Sequence, residues 1–98
     1  MNKLIITIEE ARETLRVDGR DNDIIIIPLI EAIPHYLEAT TGRAWENDKQ
    51  IHPLAKTAAK FILMIWYNPQ GAEIQKLRGI VDGILTTLTA IGREKDGT

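Results

Sequence analysis

The 98-residue sequence predicts an all-α fold, a small bundle of about four helices with a kinked second helix. Apolar residues recur at three- and four-residue spacing along most of the chain, which is the pattern of helices with one buried face. Clusters of Gly, Asp, Asn and Pro divide the chain into four such segments. A chain of this length has room for one modest core. We therefore predict a single domain over residues 1–98, with residues 93–98 disordered.

The first predicted helix covers about Ile8 to Arg16. Thr7 and Glu10 have the spacing of a capping box, in which the threonine hydroxyl and the glutamate carboxylate each accept a hydrogen bond from the other residue's amide. The side chains expected on its buried side are Ile8, Ala11 and Leu15. On its outer side, Glu9 and Glu13 are spaced to form ion pairs with Arg12 and Arg16.

The stretch NDIIIIPLIEAIP, residues 22–34, has two interpretations. Four consecutive isoleucines suit a strand, but only residues 4–8 offer a partner, and an isolated two-stranded sheet is marginal in water. As a helix, the stretch separates an apolar stripe from Glu31, His35 and Glu38. We favour the helix over a strand from Ile24 to Ile27, and the helical fold leaves room for a short extended segment at the N-terminus. The predicted stripe comprises Ile26, Ile27, Ile30, Ile33 and Leu37.

Two prolines lie within this second helix. Pro28 is tolerated if regular hydrogen bonding starts near Ile27. Pro34 is interior, where proline removes a backbone hydrogen bond and clashes with the preceding turn. We therefore predict a bend at Pro34. Gly42 follows the helix and is available for a left-handed C-terminal cap.

The third helix should be the central one. Pro53 suits the first turn of a helix over residues 54–67, because the missing N–H costs nothing there. Residues 61–67, FILMIWY, are apolar nearly all round. The predicted buried stripe comprises Leu54, Ala58, Phe61, Ile62 and Ile65, the last three of which we place at the structural centre.

The fourth helix is predicted over residues 72–91. Its apolar residues recur at alternating steps of three and four, which is the spacing of a packed helix seam. The seam comprises Ile74, Leu77, Val81, Ile84, Leu88 and Ile91. Gly79 and Gly83 lower helix propensity by about 1 kcal/mol each, which favours a break near Gly79.

The composition argues against several classes of protein. Because cysteine is absent, disulfides, thiolate metal sites and cysteine nucleophiles are impossible. Serine is also absent, and the threonines at 86, 87 and 89 have no nearby base, so we can assemble no catalytic triad. There is no glycine-rich phosphate loop. No apolar run approaches the ~20 residues of a membrane span. We expect neither an enzyme nor a cofactor nor a membrane partner.

Histidines and aromatic residues leave alternatives open. Glu31, His35 and Glu38 share a helix face and could bind a metal, but no second helix offers matching ligands, so we favour a solvated polar face. His52 precedes Pro53 and is expected at the helix start. Large aromatic residues also mark partner surfaces. We favour core packing for Trp66 and Tyr67, and the two interpretations are evenly balanced for Trp45.

The charges are unevenly distributed. Residues 1–48 carry a net charge of −5 and residues 49–98 one of +3. The two halves can attract each other within one molecule, which we favour, or between neighbouring copies. The candidates for a subunit interface are Glu9, Glu13, Asp21 and Asp23 on the acidic side, with Lys56, Lys60, Lys76 and Arg78 on the basic side.

Four stretches in order resemble the small head-tail connector proteins of tailed phages and prophages, often described as DNA-packaging proteins. Their order and spacing carry the resemblance more than any single motif. The stretches are IEEARETLRVDGRDND, IIPLIEAIPHYLEATTGR, HPLAKTAAKFILMIWYNP and GIVDGILTTL. The motifs within them are Leu15-Arg16-Val17-Asp18, Tyr36-Leu37-Glu38 with Thr41-Gly42-Arg43, Trp66-Tyr67, and Gly79 to Leu85. The sequence departs from the family pattern at Pro28, Pro34, Gly83 and Ile84.

The resemblance implies a helical subunit that forms a homo-oligomeric ring under the portal and joins the DNA-filled head to the tail. It implies no catalysis. The implied partners are the portal protein and a downstream neck or tail-completion protein, in the virion or, during assembly, in the host cytoplasm. Sequence-specific nucleic-acid binding is not implied, although the ring would surround DNA. The alternative is a small DNA-binding regulator of prophage origin, but the segment after Gly42 is acidic and polar, unlike a basic recognition helix.

Overall fold

The computed structural model describes residues 3–95 and contains four α-helices. They are α1 (Ile8–Leu15), α2 (Asp23–Thr41), α3 (Pro53–Tyr67) and α4 (Ile74–Lys95), with a 3-10 turn, Trp45–Asn47, between α2 and α3. No strand occurs among residues 3–95. The prediction of an all-α bundle is therefore confirmed, and the isoleucine run is helical.

The ends of α1 are set by local hydrogen bonds and backbone geometry. The Glu10 amide donates to Thr7 Oγ1 at 3.0 Å, and the Thr7 amide donates to Glu10 Oε1 at 2.9 Å, which confirms the capping box. Arg16 has a φ of 57° and caps the helix in the left-handed conformation. The helix thus ends at Leu15, one residue earlier than predicted.

Capping residues also fix the connection from α2 to α3. Gly42 has a φ of 83° and ends α2, as predicted, because glycine adopts this left-handed conformation without a steric penalty. His52 Nδ1 accepts a hydrogen bond from the Leu54 amide at 3.0 Å. Pro53 is the first residue of α3. The predicted role of His52 at the start of this helix is confirmed.

Helix α2 contains both prolines in its interior. It begins at Asp23, next to the predicted capping residues, and Pro28 lies in its second turn. The first amide bonded to the carbonyl four residues earlier is that of Ile26, which donates to Asn22 O at 3.0 Å, close to the start near Ile27 that makes Pro28 tolerable. The bend at Pro34 stays a prediction. By length and composition alone, α2 is long and apolar enough to cross a membrane, but the core helix of a soluble protein passes the same test, and 33% of the qualifying stretch is buried in the bundle.

Helix α4 runs without interruption through its glycines. The predicted break near Gly79 is wrong, because the helix is continuous from Ile74 to Lys95. Packing of its seam on the other helices outweighs the low propensity of glycine. Of the predicted disordered tail, residues 93–95 are therefore helical, and residues 96–98 lie outside the described residues.

The core lies where α2, α3 and α4 meet, and α1 packs across α2 and α3. From the predicted stripes, the buried residues are Ile26, Ile30, Ile33, Leu37, Ala58, Ile62, Ile65, Ile74, Val81 and Leu88.

Two predicted core residues are corrected. Ile27 is 41% exposed, because it lies about 100° around the helix from Ile26. Phe61 is only partly buried, and Leu63, which is 0% exposed, joins Ile62 at the centre of α3.

Residues outside the helices complete the core. Ile5 and Ile6 are buried although they form no strand, and the short extended segment at the N-terminus stays unconfirmed. Trp45 is 0% exposed, and its Nε1–H donates to Thr41 Oγ1 at 2.9 Å. The Arg43 guanidinium covers the ring at 5.3 Å from its centroid. The interpretation of Trp45 as a partner-binding residue is therefore wrong.

Candidate subunit interface

The polar residues considered as metal ligands lie on the surface of α2. Glu31, His35 and Glu38 are all exposed, and they form the solvated polar face that we favoured. Over residues 3–95, no three His, Asp or Glu side chains are placed to hold one metal ion. The surface features that remain as candidates for a binding site are exposed charges and exposed apolar side chains.

Three of the four acidic candidates are exposed. Glu9 and Glu13 lie on α1, and Asp21 lies just before α2. Asp23 is engaged within the subunit, because Arg12 Nε donates to its Oδ1 at 3.0 Å. This hydrogen bond is the main reason that the pKa of Asp23 is lowered. Arg12 thus pairs with α2 and not with the glutamates of its own helix.

The basic candidates divide in the same way. Lys56 Nζ donates to Glu10 Oε2 at 3.1 Å and ties α3 to α1. The pKa of Glu10 is lowered, first by the hydrogen bond from the Thr7 backbone and then by Lys56 and the charge of Lys60, although desolvation opposes both. Attraction between the two halves of the chain therefore acts within the subunit here.

Two basic candidates stay on the outer surface of α4. Lys76 is 81% exposed by side chain, and its Nζ lies 3.7 Å from Glu73 Oε2. Arg78 is also exposed. A pair as exposed as Lys76 and Glu73 contributes little to stability because water screens it. Both cations are available to a partner.

An apolar groove of about 780 Å³ opens between the end of α1, the start of α2 and the turn from α3 to α4. Its apolar lining comes from all four helices and includes Leu15, Ile25, Met64, Tyr67 and Leu77. Arg16, Asn68 and Glu73 are its main polar residues, and the exposed Ala72 also lines it.

Trp66 packs edge to face on Tyr36, with ring centroids 5.4 Å apart. Trp66 and Tyr67 are both partly buried against the core, as we favoured.

Three of the four isoleucines that begin α2 are exposed, a feature that the sequence prediction missed. Ile24 is 82% exposed, Ile25 54% and Ile27 41%, whereas Ile26 is buried. The signal was available, because the repeat of Ile26, Ile30, Ile33 and Leu37 defines the buried side, and Ile24 falls nearly opposite to it at about 100° per residue.

The order of the helices and their boundaries agree with the resemblance found in the sequence. The profile of the family described as phage gp6-like head-tail connector protein matches residues 5–91. The chain belongs to this family. No curated protein and no solved structure matches it significantly. The family is one of structural phage connectors, and the match runs from the buried Ile5 into the last turns of α4.

The motif residues of this connector protein have defined roles in the fold. Arg16 ends α1, and Gly42 ends α2. Thr41 accepts the hydrogen bond from the buried Trp45. Trp66 packs on Tyr36, and their ring planes meet at 81°. The motifs therefore specify helix ends and packing contacts.

Proposed function

We propose that this connector protein is a subunit of a ring that lies beneath the portal and joins the DNA-filled head of a tailed phage or prophage to the tail. The family match over residues 5–91 carries the proposal. The ring would contact the portal protein on one side and a downstream neck or tail-completion protein on the other. It would surround the DNA without reading its sequence. The subunit would act at the head-tail junction of the virion, after assembly in the host cytoplasm.

The charge distribution supports head-to-tail contacts between subunits. A ring needs two different complementary surfaces on each copy, since a repeated heterologous contact closes when its rotation permits. Glu9, Glu13 and Asp21 are exposed at one end of the chain, and Lys76 and Arg78 are exposed on α4. Of the remaining candidates, Asp23 and Lys56 already have partners within the subunit. The charge of Lys60 acts on the Glu10 carboxylate. We therefore assign Asp23, Lys56 and Lys60 a smaller part in the contact between subunits.

The proposal is tested with DNA-filled, portal-bearing capsids that lack the connector. Adding the purified protein should allow tails to attach and should produce ring density beneath the portal in electron cryo-microscopy. Capsids without portal are the control and should gain neither. Failure of the protein to bind portal-bearing capsids, or tail attachment without it, would contradict the proposed role.

The DNA-binding regulator is the weaker candidate on structural grounds. A helix-turn-helix reader places a helix with exposed basic residues after its turn. Here the turn at Gly42 is followed by the 3-10 turn Trp45–Asn47, in which the tryptophan is buried. Duplex binding that weakens steeply as salt increases would favour the regulator instead.

A further inference from the structure

The start of α2 presents an apolar surface that its own subunit leaves uncovered. Ile24 is 82% exposed, and Ile27, nearly one turn further along the helix, is 41% exposed. Pro28, which is also exposed, lies about 40° from Ile24 around the helix axis, on the side opposite to Ile27. We call Ile24, Ile27 and Pro28 the α2 knob. A cluster of this kind at one end of a helix is unfavourable in water unless something covers it.

The same subunit carries a groove of matching chemistry. Ile25 forms part of its wall, together with Leu15, Met64 and Leu77. At about 100° per residue, Ile25 is rotated from Ile24 in one direction, whereas Ile27 lies about 60° from Ile24 in the other. Ile24, Ile27 and Pro28 do not line this groove, so the α2 knob is available to the groove of another molecule.

The chemistry of the two surfaces indicates that the occupant is a second copy. One chain presents both an apolar projection, the α2 knob, and an apolar groove that its own knob does not fill. An interface of standard size buries ~800 Å² on each partner. The subunit is flat, with extents of 44 × 33 × 18 Å, so it has little depth in which to bury apolar side chains.

Charges beside the two surfaces are complementary. Arg16 lines the groove, and Asp21 is exposed three residues before Ile24. A knob seated in the groove of a neighbour brings Asp21 towards Arg16 of that neighbour. Glu73 also lines the groove, and Lys76 Nζ lies 3.7 Å from its carboxylate, so the formal charges of Arg16, Glu73 and Lys76 around the groove sum to +1. Such exposed charges orient the encounter, while apolar burial provides the affinity.

From these observations we propose that the α2 knob of one subunit binds in the groove of the next. The inference rests on the proposed ring and names the contact that builds it. Because the knob and the groove are different surfaces, each copy keeps a free knob at one end and a free groove at the other. The contact can therefore repeat from copy to copy and close into a ring.

The test uses two variants that each remove one surface. Ile24→Asp places a charge on the knob, and Ala72→Glu places one in the groove. Both positions are exposed, so the subunit should stay folded, which circular dichroism and thermal unfolding would check. Ala90→Glu is the matched control, because Ala90 is exposed near the end of α4 and belongs to neither surface.

Sedimentation velocity at protein concentrations up to about 1 mM gives the readout. Wild type and Ala90→Glu should form oligomers larger than dimers. Ile24→Asp and Ala72→Glu should each raise the Kd for self-association about 30-fold or more, as expected for loss of a central contact. An equimolar mixture of these two variants should form dimers that grow no further, because it contains one intact knob and one intact groove.

Several results would overturn the contact. These are a monomeric wild type at about 1 mM, an Ile24→Asp variant that assembles like wild type, equal loss in Ala90→Glu, or a mixture that stays monomeric. A wild type that stops at dimers would indicate a symmetric interface instead. Capsid assays separate this inference from the proposed function. If Ile24→Asp still completes heads, the contact between knob and groove is wrong and the connector role stands. If wild type assembles through the knob but does not bind portal-bearing capsids, the contact stands and the connector role is wrong.

Discussion

Arg12 and Asp23 join α1 to the first turn of α2 through two hydrogen bonds between guanidinium and carboxylate, with Nε 3.0 Å from Oδ1. Both side chains are partly buried, at 20% and 18% exposure. Asp23 is the first residue of α2, where the helix dipole also favours a negative charge. The pair therefore stabilises the start of the helix ahead of the isoleucine run and orients α1 across it.

We expect this ion pair to make stability depend on pH. The hydrogen bond from Arg12 lowers the pKa of Asp23, so its stabilising effect is present above the ordinary aspartate pKa and is lost as pH falls through the lowered value. Arg12→Met keeps the Asp23 carboxylate at the helix start but removes its partner. Its Tm should lie below that of wild type at pH 7, and the gap should shrink as the pH falls from about 5 to about 2.

Lys49→Met is the control for general charge effects, because Lys49 is exposed in the loop before α3. It removes one positive charge without touching Asp23. A gap between wild type and Arg12→Met that stays constant across this pH range would show that the pair does not titrate as described.

The buried Trp45 should depend on Thr41 for its hydrogen bond. Thr41→Val keeps the side-chain shape but leaves the indole Nε1–H without its acceptor in the core, which should cost about 1–3 kcal/mol in the free energy of unfolding. Thr40→Val is the matched control, since the Thr40 hydroxyl is exposed and bonds only the backbone of its own helix. A denaturant titration that finds equal losses for both variants would contradict the role of this hydrogen bond.

The sequence was sufficient for features that depend on local spacing. The capping box at Thr7 and Glu10, the glycine cap at Gly42 and the seam of α4 depend on residues a few positions apart, and all three are present. The packing of Trp45 could not be predicted, because it lies in an irregular connection without a repeating pattern and packs beside Gly92 of α4, which is distant in sequence.

The candidate interface was harder to predict for the same reason. Formal charge places Asp23 and Lys56 among the candidates, but the approach of α1 to α2 and α3 gives each of them a partner within the subunit. The groove is built by residues from all four helices, so no single stretch of sequence contains it. The exposure of Ile24 follows from helix geometry only once the buried side of α2 is known.

Stability should depend more on Leu63 than on Phe61. Leu63 is 0% exposed at the centre of α3, and truncation there leaves a cavity, so Leu63→Ala should cost about 2–5 kcal/mol. Phe61 is partly buried, so Phe61→Ala should cost less despite removing more atoms. The two variants can be compared by urea denaturation. A larger loss at Phe61 would move the structural centre back to that residue.

Glycines inside α4 should lower its stability. Gly79 and Gly83 are exposed, and a β-carbon at either position would meet no atom within 4 Å. Alanine at either position should therefore stabilise the fold by about 0.5–1 kcal/mol through better helix propensity. Gly42→Ala provides the contrast, because a φ of 83° is unfavourable for alanine and should cost about 1 kcal/mol. Thermal unfolding should give a higher Tm than wild type for alanine at position 79 or 83 and a lower Tm for Gly42→Ala.

Subunit charges should guide assembly on the portal-bearing capsid. Replacing Lys76 and Arg78 with Glu reverses the exposed cations of α4, which should impair assembly while leaving the subunit folded, because neither residue contributes to the core. The matched control replaces Lys49 and Lys95 with Glu and changes the net charge by the same amount. Its assembly should be close to that of wild type.

Restoring complementarity should rescue the reversed variant. Changing Glu9 and Glu13 to Lys in the same chain, with Asp21 kept because the proposed contact brings it towards Arg16, returns opposite signs to the two surfaces, so assembly should recover in part. The defect should also weaken as salt rises, since charges more than about 8–10 Å apart are screened at physiological ionic strength. Head completion and tail attachment measure both effects. Normal assembly of the reversed variant at low salt would show that these charges do not form the subunit contact, and apolar burial between the α2 knob and the groove would then have to hold the ring.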